Sequence, residues 1–262
     1  MYHFLQFKPN AKEAWRLYDE RQLSGLEQPP AFMTVLKVDQ DPENFAENGE
    51  DPLDHVKYMG PMYFDFDGPD LDAVLESVRT VLTYLTKKLD IDKSFVHCWL
   101  SGKKGVHVTV PAKVFGLKAP VKALPLIYRE VAETMKVEHL DMVVYSAGRG
   151  RMWRCENIQR PTGTFKVGVT YDELVDMDSE QYATLVAQPR PSMALNEPSD
   201  SVIFPKAEAL FKAARIRAAK RVKAMKSSVV VPKEKLQALT EVPGCIQKLI
   251  TEGEDRKSGS AG

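Results

Sequence analysis

Apolar and polar positions divide this chain into short alternating runs and a few helical stripes. In 59–67, Phe64 and Phe66 alternate with Asp65 and Asp67. That period of two predicts a strand with the phenylalanines on a core face and both carboxylates on the other. Gly68-Pro69-Asp70 then turns the chain. Leu71, Val74, Leu75, Val78, Leu82, Leu85 and Leu89 follow at three- and four-residue steps, which predicts an amphipathic helix. Further strands are expected over 2–7, 31–38, 95–100, 105–110, 142–145 and 165–170. A second helix is expected over 120–135, with Val121, Leu124, Ile127, Val131 and Met135 on one side. Asn10 as N-cap and Gly25 as terminator frame a helix over 11–23, and another is expected over 178–188. A proline-punctuated linker follows at 188–198, then an alanine-rich helix over 206–226.

Composition adds limits. A chain of 262 residues holds one large or two small domains, and its formal net charge is zero. The average conceals separation: 39–54 carries seven acids and no lysine or arginine, which predicts a solvated loop, whereas 206–226 carries eight basic residues against Glu208. No apolar run reaches the roughly 20 residues of a bilayer span. The first twelve residues lack a basic-then-apolar leader, so a cytoplasmic protein without a membrane partner is expected. Cys98, Cys155 and Cys245 lie far apart without CxxC spacing and are expected as reduced thiols, with no zinc site. His97 and Cys98, as strand neighbours, point to opposite faces and do not form a ligand pair.

The candidate chemistry begins with Asp65 and Asp67. Like charges on one strand face repel, so the pair suits a cation between them; a solvated strand end is the plainer alternative. Ser101-Gly102-Lys103-Lys104-Gly105-Val106-His107 joins two strands and offers glycines, a hydroxyl and two ammonium groups, as a phosphate cradle does. It lacks the Walker spacing, and a hairpin with a basic tip also explains it. His107 is expected on one face with the carboxylates. Arg149, Arg151, Arg154 and Arg160 alternate with apolar residues, which would put several cations on one strand face for a phosphate-rich ligand. Pro161-Thr162-Gly163 then turns into the strand carrying Lys166. The basic helix, with Arg215 and Lys220, suits either a nucleic-acid backbone or a solvated connector.

Taken in order, Asp65-x-Asp67, Ser101-Gly-x-x-Gly-x-His107, Leu140-Asp141 and the arginine-rich strand ending in Pro161-Thr162-Gly163 resemble the archaeo-eukaryotic primase superfamily. The short stretch between His107 and Asp141 and the missing zinc-knuckle cysteines make it most similar to the compact primase-polymerases of phages, plasmids and other mobile elements. The resemblance implies an α+β fold: an RRM-like antiparallel sheet with packing helices and an N-terminal α/β unit over 1–190. A linker, basic helix and start of a helical C-terminal region follow over 191–262, with 243–250 similar to the opening of that region in a chain that could be a catalytic fragment.

The resemblance also implies an activity: DNA primase or primase-polymerase, a nucleotidyltransferase that makes or extends RNA or DNA primers on single-stranded DNA in a bacterial host cell. Asp65, Asp67 and Asp141 would hold two Mg²⁺ or Mn²⁺ ions, with His107 in the catalytic set. Ser101, Lys103, Lys104, His107, Arg154 and Lys166 would contact the NTP or dNTP, and Arg149, Arg151, Arg160, Arg215 and Lys220 the nucleic acid. Arg160 stands where replicative relatives often carry histidine. A replicative helicase, a helical C-terminal domain or a second subunit are the implied partners. Two other classes compete: a nucleic-acid-binding replication factor with a vestigial site, and a haloacid-dehalogenase-like phosphatase, whose motif also opens apolar-Asp-x-Asp-Gly. Pro69 departs from the phosphatase pattern.

Overall fold

In the computed structural model, residues 1–8 and 13–228 are described. Along the chain run β1 (Tyr2–Gln6), β2 (Arg16–Asp19), β3 (Phe32–Thr34), β4 (Lys37–Val38), α1 (Glu43–Glu47), β5 (Lys57–Met59) and β6 (Met62–Phe66). Then come α2 (Leu71–Thr83), prolonged by a π turn, β7 (His97–Leu100), β8 (Val106–Val110), β9 (Val121–Lys122) and α3 (Leu124–Glu133). The last are β10 (Met152–Arg154), β11 (Val167–Val169), α4 (Tyr171–Val175), α5 (Ser179–Val186) and α6 (Pro205–Ser228). The fold is α+β, and the strands of the described residues pair antiparallel.

One sheet has the order β10-β3-β1-β4-β5-β9, with β2 also on β1, and the other β11-β7-β8-β6. Its edge strand β6 also forms an antiparallel bridge from Phe66 to Leu140. The second sheet has the two-faced character that the alternation predicts. Phe64, Phe66, Val106, Val108, Leu100 and Val167 are wholly buried on the side where α2 packs. Each such side chain contributes about 1.5–3 kcal/mol of transfer free energy. The α2 stripe Val74, Leu75, Val78 and Leu82 completes this core. Asp70 caps α2 by accepting from the Asp72 and Ala73 amides. Arg79 leaves its far side and donates to the carbonyls of Val175 (2.8 Å) and Met177, tying α4 and the turn after it to α2.

Several expected elements take another form. The helix expected over 11–23 begins among residues outside those described and is then strand β2, followed by a 3-10 turn over Glu20–Gly25. Phe4 against Trp15 and Phe7 against Tyr18 hold this hairpin, Asp19 caps the 3-10 turn in a box with Gln22, and the expected cap Asn10 lies outside the described residues. Strand 31–38 breaks in two after Thr34. Helix 120–135 starts at Leu124, because residues 121–122 pair with β5. The strand expected at 142–145 is a 3-10 turn, since the Asp141 carboxylate accepts the Val143 amide and bends the chain. The acidic stretch 39–54 folds into α1 and a 3-10 turn with no buried residue in either.

The first compact unit runs from Met1 to Ala218, through the expected boundary at 190/191. Helix α6 is no solvated connector at its start. Phe211, Ala207 and Ala214 are buried, Phe211 lies against Tyr128 and Phe115, and Arg217 donates to the Glu130 carboxylate at 3.0 Å. In the second unit, Ala219–Gly262, residues 219–228 are helical. Cys245 and 243–250 lie outside the described residues.

Burial lowers the pKa of His3 and His97 from the usual value, so both fold as neutral imidazoles. The unfolded chain then binds more protons, and their contribution is present above about pH 6.5 and lost progressively as pH falls from there through their lower folded pKa values. The buried Asp65 carboxyl, raised chiefly by desolvation, opposes this trend. Urea denaturation is expected to show stability falling from pH 7 to pH 5, with a smaller fall in the double variant His3→Gln/His97→Gln.

Candidate functional site

Antiparallel register places Asp65 opposite His107, and His107 opposite Trp99. Directly opposite residues share a face, so these side chains stand together on the side away from α2. The edge bridge brings in the third acid: Asp141 N–H donates to the Asp65 carbonyl at 2.8 Å, and Asp67 N–H to the His139 carbonyl at 3.0 Å. Tyr145 fastens the following turn to the same edge through its hydroxyl on the Tyr63 carbonyl at 2.5 Å. Asp65, Asp67 and Asp141 are thereby grouped at one end of β6.

Asp65 is only 5 % exposed. Its Oδ2 accepts from Arg151 Nη2 at 3.0 Å, Arg151 Nε at 3.2 Å and Trp153 Nε1 at 3.1 Å. Arg151 Nη2 also lies 4.0 Å from Asp141 Oδ2, so one guanidinium sits between two of the three acids. Asp67 is exposed and takes the Gly68 amide. No group of three or more acidic, imidazole or thiol side chains converges as a metal cage among the described residues. The donor set nonetheless suits a hard cation: oxygen ligands, with a cation already held between Asp65 and Asp141.

His107 Nε2 lies 3.5 Å from Asp65 Oδ1, and the Trp153 indole stacks on its ring at 4.0 Å between centroids. Its Nδ1 is buried with no hydrogen-bond partner among the described residues. Burial, with Lys166 and Arg151 nearby, holds its pKa well below the usual value. This imidazole is a neutral donor or acceptor, with a free ring nitrogen.

The loop after β7 is closely braced by packing and hydrogen bonds. Gly102 has φ +82°, and a Cβ there would lie 2.5 Å from the Phe165 carbonyl oxygen; one on Gly105 would lie 2.5 Å from that of Phe66. Ser101 Oγ accepts the Gly105 amide at 3.2 Å, and Arg160 Nε donates to the Ser101 carbonyl at 2.7 Å. Tyr182 closes the far side on the Gly105 carbonyl at 2.9 Å. Gly105→Ala is expected to destabilise the protein by about 1–3 kcal/mol, because backbone must move against backbone; thermal unfolding measures it. An unchanged midpoint would show that the loop yields freely.

A cleft of about 280 Å³ opens between this loop, the carboxylates and β10, with Ser101, Lys103, His107, Arg151, Arg154 and Arg160 among its walls. Lys104 turns away and donates to the Pro69 carbonyl at 2.6 Å. The arginines do not share one strand face. Arg149 pairs with Glu43 and covers Phe4 and Trp15; Arg151 serves the carboxylates; Arg154 lies over the Phe32 ring at 4.5 Å; Arg160 braces the loop. The reason is that β10 is only three residues long, with the flanking arginines on turns around it. Lys166 lies behind Trp153, its ammonium between the Trp99 and Trp153 indoles. Arg215 and Lys220 are exposed on α6.

Trp153 and Tyr182 went unrecognised as site residues in the sequence. For Trp153 a signal exists: it is an apolar residue of the arginine run and shares the strand parity of Arg151. For Tyr182 none does, since a helical tyrosine reads as core. The chain matches no protein-family model, and no curated protein matches it.

Proposed function

We propose that this chain is a template-directed nucleotidyltransferase of the archaeo-eukaryotic primase type, extending or starting strands on single-stranded DNA. The observation that carries the reading is the grouping of Asp65, Asp67 and Asp141 on the β6 edge beside His107 and a basic, glycine-braced loop. The order 140-β6-β8-β7, with α2 and α3 as the connecting helices, is the arrangement expected of an RRM-like catalytic sheet.

Two divalent ions held by Asp65, Asp67 and Asp141 would supply charge neutralisation at the attacking and leaving oxygens. The remaining work falls to side chains. Lys103, Arg154 and Arg160 set positive charge along the cleft for a triphosphate, and the Ser101 hydroxyl can donate to a phosphate oxygen. His107, neutral and held flat by Trp153, offers one N–H to a phosphate without bringing a further charge. Arg151 would have to release the acids when ions bind, and its half-exposed side chain has room to swing outward. Arg151 held in the acid set is also the observation favouring an inert nucleic-acid-binding factor.

The test supplies protein with primed and unprimed single-stranded DNA, labelled NTPs or dNTPs, and Mg²⁺ or Mn²⁺. Metal-dependent product is expected; template binding without product would favour the inert factor, and phosphate release from a simple monoester a phosphatase. His107→Ala is expected to raise nucleotide KM or lower kcat by about 10²-fold while template affinity, read by fluorescence anisotropy, stays unchanged. Lost template binding would misplace the histidine.

A further inference from the structure

Behind the cleft lies a second chamber of about 420 Å³, between the facing surfaces of the two sheets. Trp153 and Arg154 line both spaces, so the Trp153 indole is a partition. On the chamber side stands Lys166, whose Nζ lies 5.1 Å from the Trp99 ring centre and 5.0 Å from that of Trp153. Lys166 is 5 % exposed, and its side chain has no hydrogen bond or ion pair among the described residues. Ring faces stabilise a desolvated ammonium by about 2 kcal/mol, less than the several kcal/mol that removing it from water costs. Burial accordingly brings its pKa down to about 8.

Other polar groups around the chamber are engaged. Lys37 pairs with Glu20 at 2.6 Å, Glu156 accepts the Trp99 N–H, and His3 Nδ1 bonds the Thr34 carbonyl at 2.9 Å. The Lys166 ammonium is influenced by the Glu156 and Asp65 charges only at a distance. It therefore faces, without a direct partner, a space whose walls include both indoles, Met33, Met193 and Leu195, with Arg154 and Glu156 also on the lining. Leu195, 56 % exposed, belongs to a stretch without regular structure, anchored where Asn157 and Arg190 exchange hydrogen bonds at 2.6 and 2.9 Å. That stretch is the chamber's outer wall.

We propose that this chamber binds a planar aromatic anion, its acidic group on Lys166 Nζ and its ring against Trp99 and Trp153, separately from the nucleotide cleft. A negative charge matches the Lys166 ammonium, which lacks a direct partner among the described residues, and a flat ring matches the indole walls. Because the partition indole also holds Asp65 and stacks on His107, an occupant changes the tryptophan emission. The site stands whether or not the cleft adds nucleotides.

The probe is 8-anilinonaphthalene-1-sulfonate, titrated into the full chain at neutral pH by calorimetry and by tryptophan fluorescence. One saturable site per chain is expected. Lys166→Met should weaken it at least about tenfold, the loss of one charge-assisted contact, and Lys166→Arg by much less. Leu195→Glu, at an exposed position, should also weaken it by placing a negative charge at the mouth, which keeps the test open if Lys166→Met does not fold. Excess ATP with Mg²⁺ should leave probe binding unchanged. The proposal is overturned by absence of a saturable site, by equal affinity in Lys166→Met and Leu195→Glu, or by competitive displacement with ATP, which would make the chamber part of the nucleotide cleft.

Discussion

Asp65→Asn is expected to lose at least about 10³-fold in metal-dependent nucleotide addition while melting at or slightly above the wild-type temperature. The two halves have one cause. Burial is the first reason that the Asp65 carboxyl is raised above the usual carboxylate range, with Arg151 and Trp153 pulling the other way. The folded chain thus holds a charge that a neutral group would carry more easily. Asparagine is that neutral group: its carbonyl still accepts the Trp153 N–H, but it cannot bind a hard cation with comparable strength. Asp65→Ala should be equally inactive yet less stable, by about 1–3 kcal/mol, because the buried indole N–H is left without an acceptor. Paired thermal melts and primer-extension rates separate these effects. An active Asp65→Asn would remove this carboxylate from the chemistry.

Trp153→Ala should give the largest loss of stability, about 3–5 kcal/mol. This one side chain is 7 % exposed, stacks on His107 and meets Tyr63 edge-on with ring centres 6.0 Å apart. It also donates to Asp65 and walls both cavities. Trp153→Phe keeps a ring against His107 but removes the donor, so it should cost less than half as much in stability. Urea denaturation of the three proteins decides the matter. A loss below about 1 kcal/mol for alanine would mean that the partition is not a packed wall.

Much of the site's frame could be read in the sequence because it rests on parity and spacing. The period of two across Phe64, Asp65, Phe66 and Asp67 fixed which face carries acids. The same parity put His107 with them, and the α2 stripe named the packing face. Asp65 and Asp67 were legible from alternation, whereas Asp141 joined them only through the resemblance, because the bridge through Leu140 that brings it to β6 has no local signature.

Long-range contacts also decided the arginines. Nothing in their spacing says that Arg149 goes to Glu43, that Arg151 lies between carboxylates, or that Arg160 braces Ser101. Lys103 and Lys104 look equivalent in sequence; only the fold sends one toward the cleft and the other to Pro69. The helical reading misled at the N-terminal hairpin, where aromatic contacts across it, Phe4 on Trp15 and Phe7 on Tyr18, outweighed the terminator signal of Gly25.

Template-directed synthesis is the central claim, and the identity of the added nucleotide tests it most directly. A primer is annealed to DNA whose single-stranded overhang contains one base type, and the four nucleotides are offered one at a time with Mn²⁺ or Mg²⁺. Addition of the complementary nucleotide alone, abolished by Asp65→Asn and by Asp141→Asn, is the expected result. No addition, or addition of all four regardless of the overhang, would contradict it.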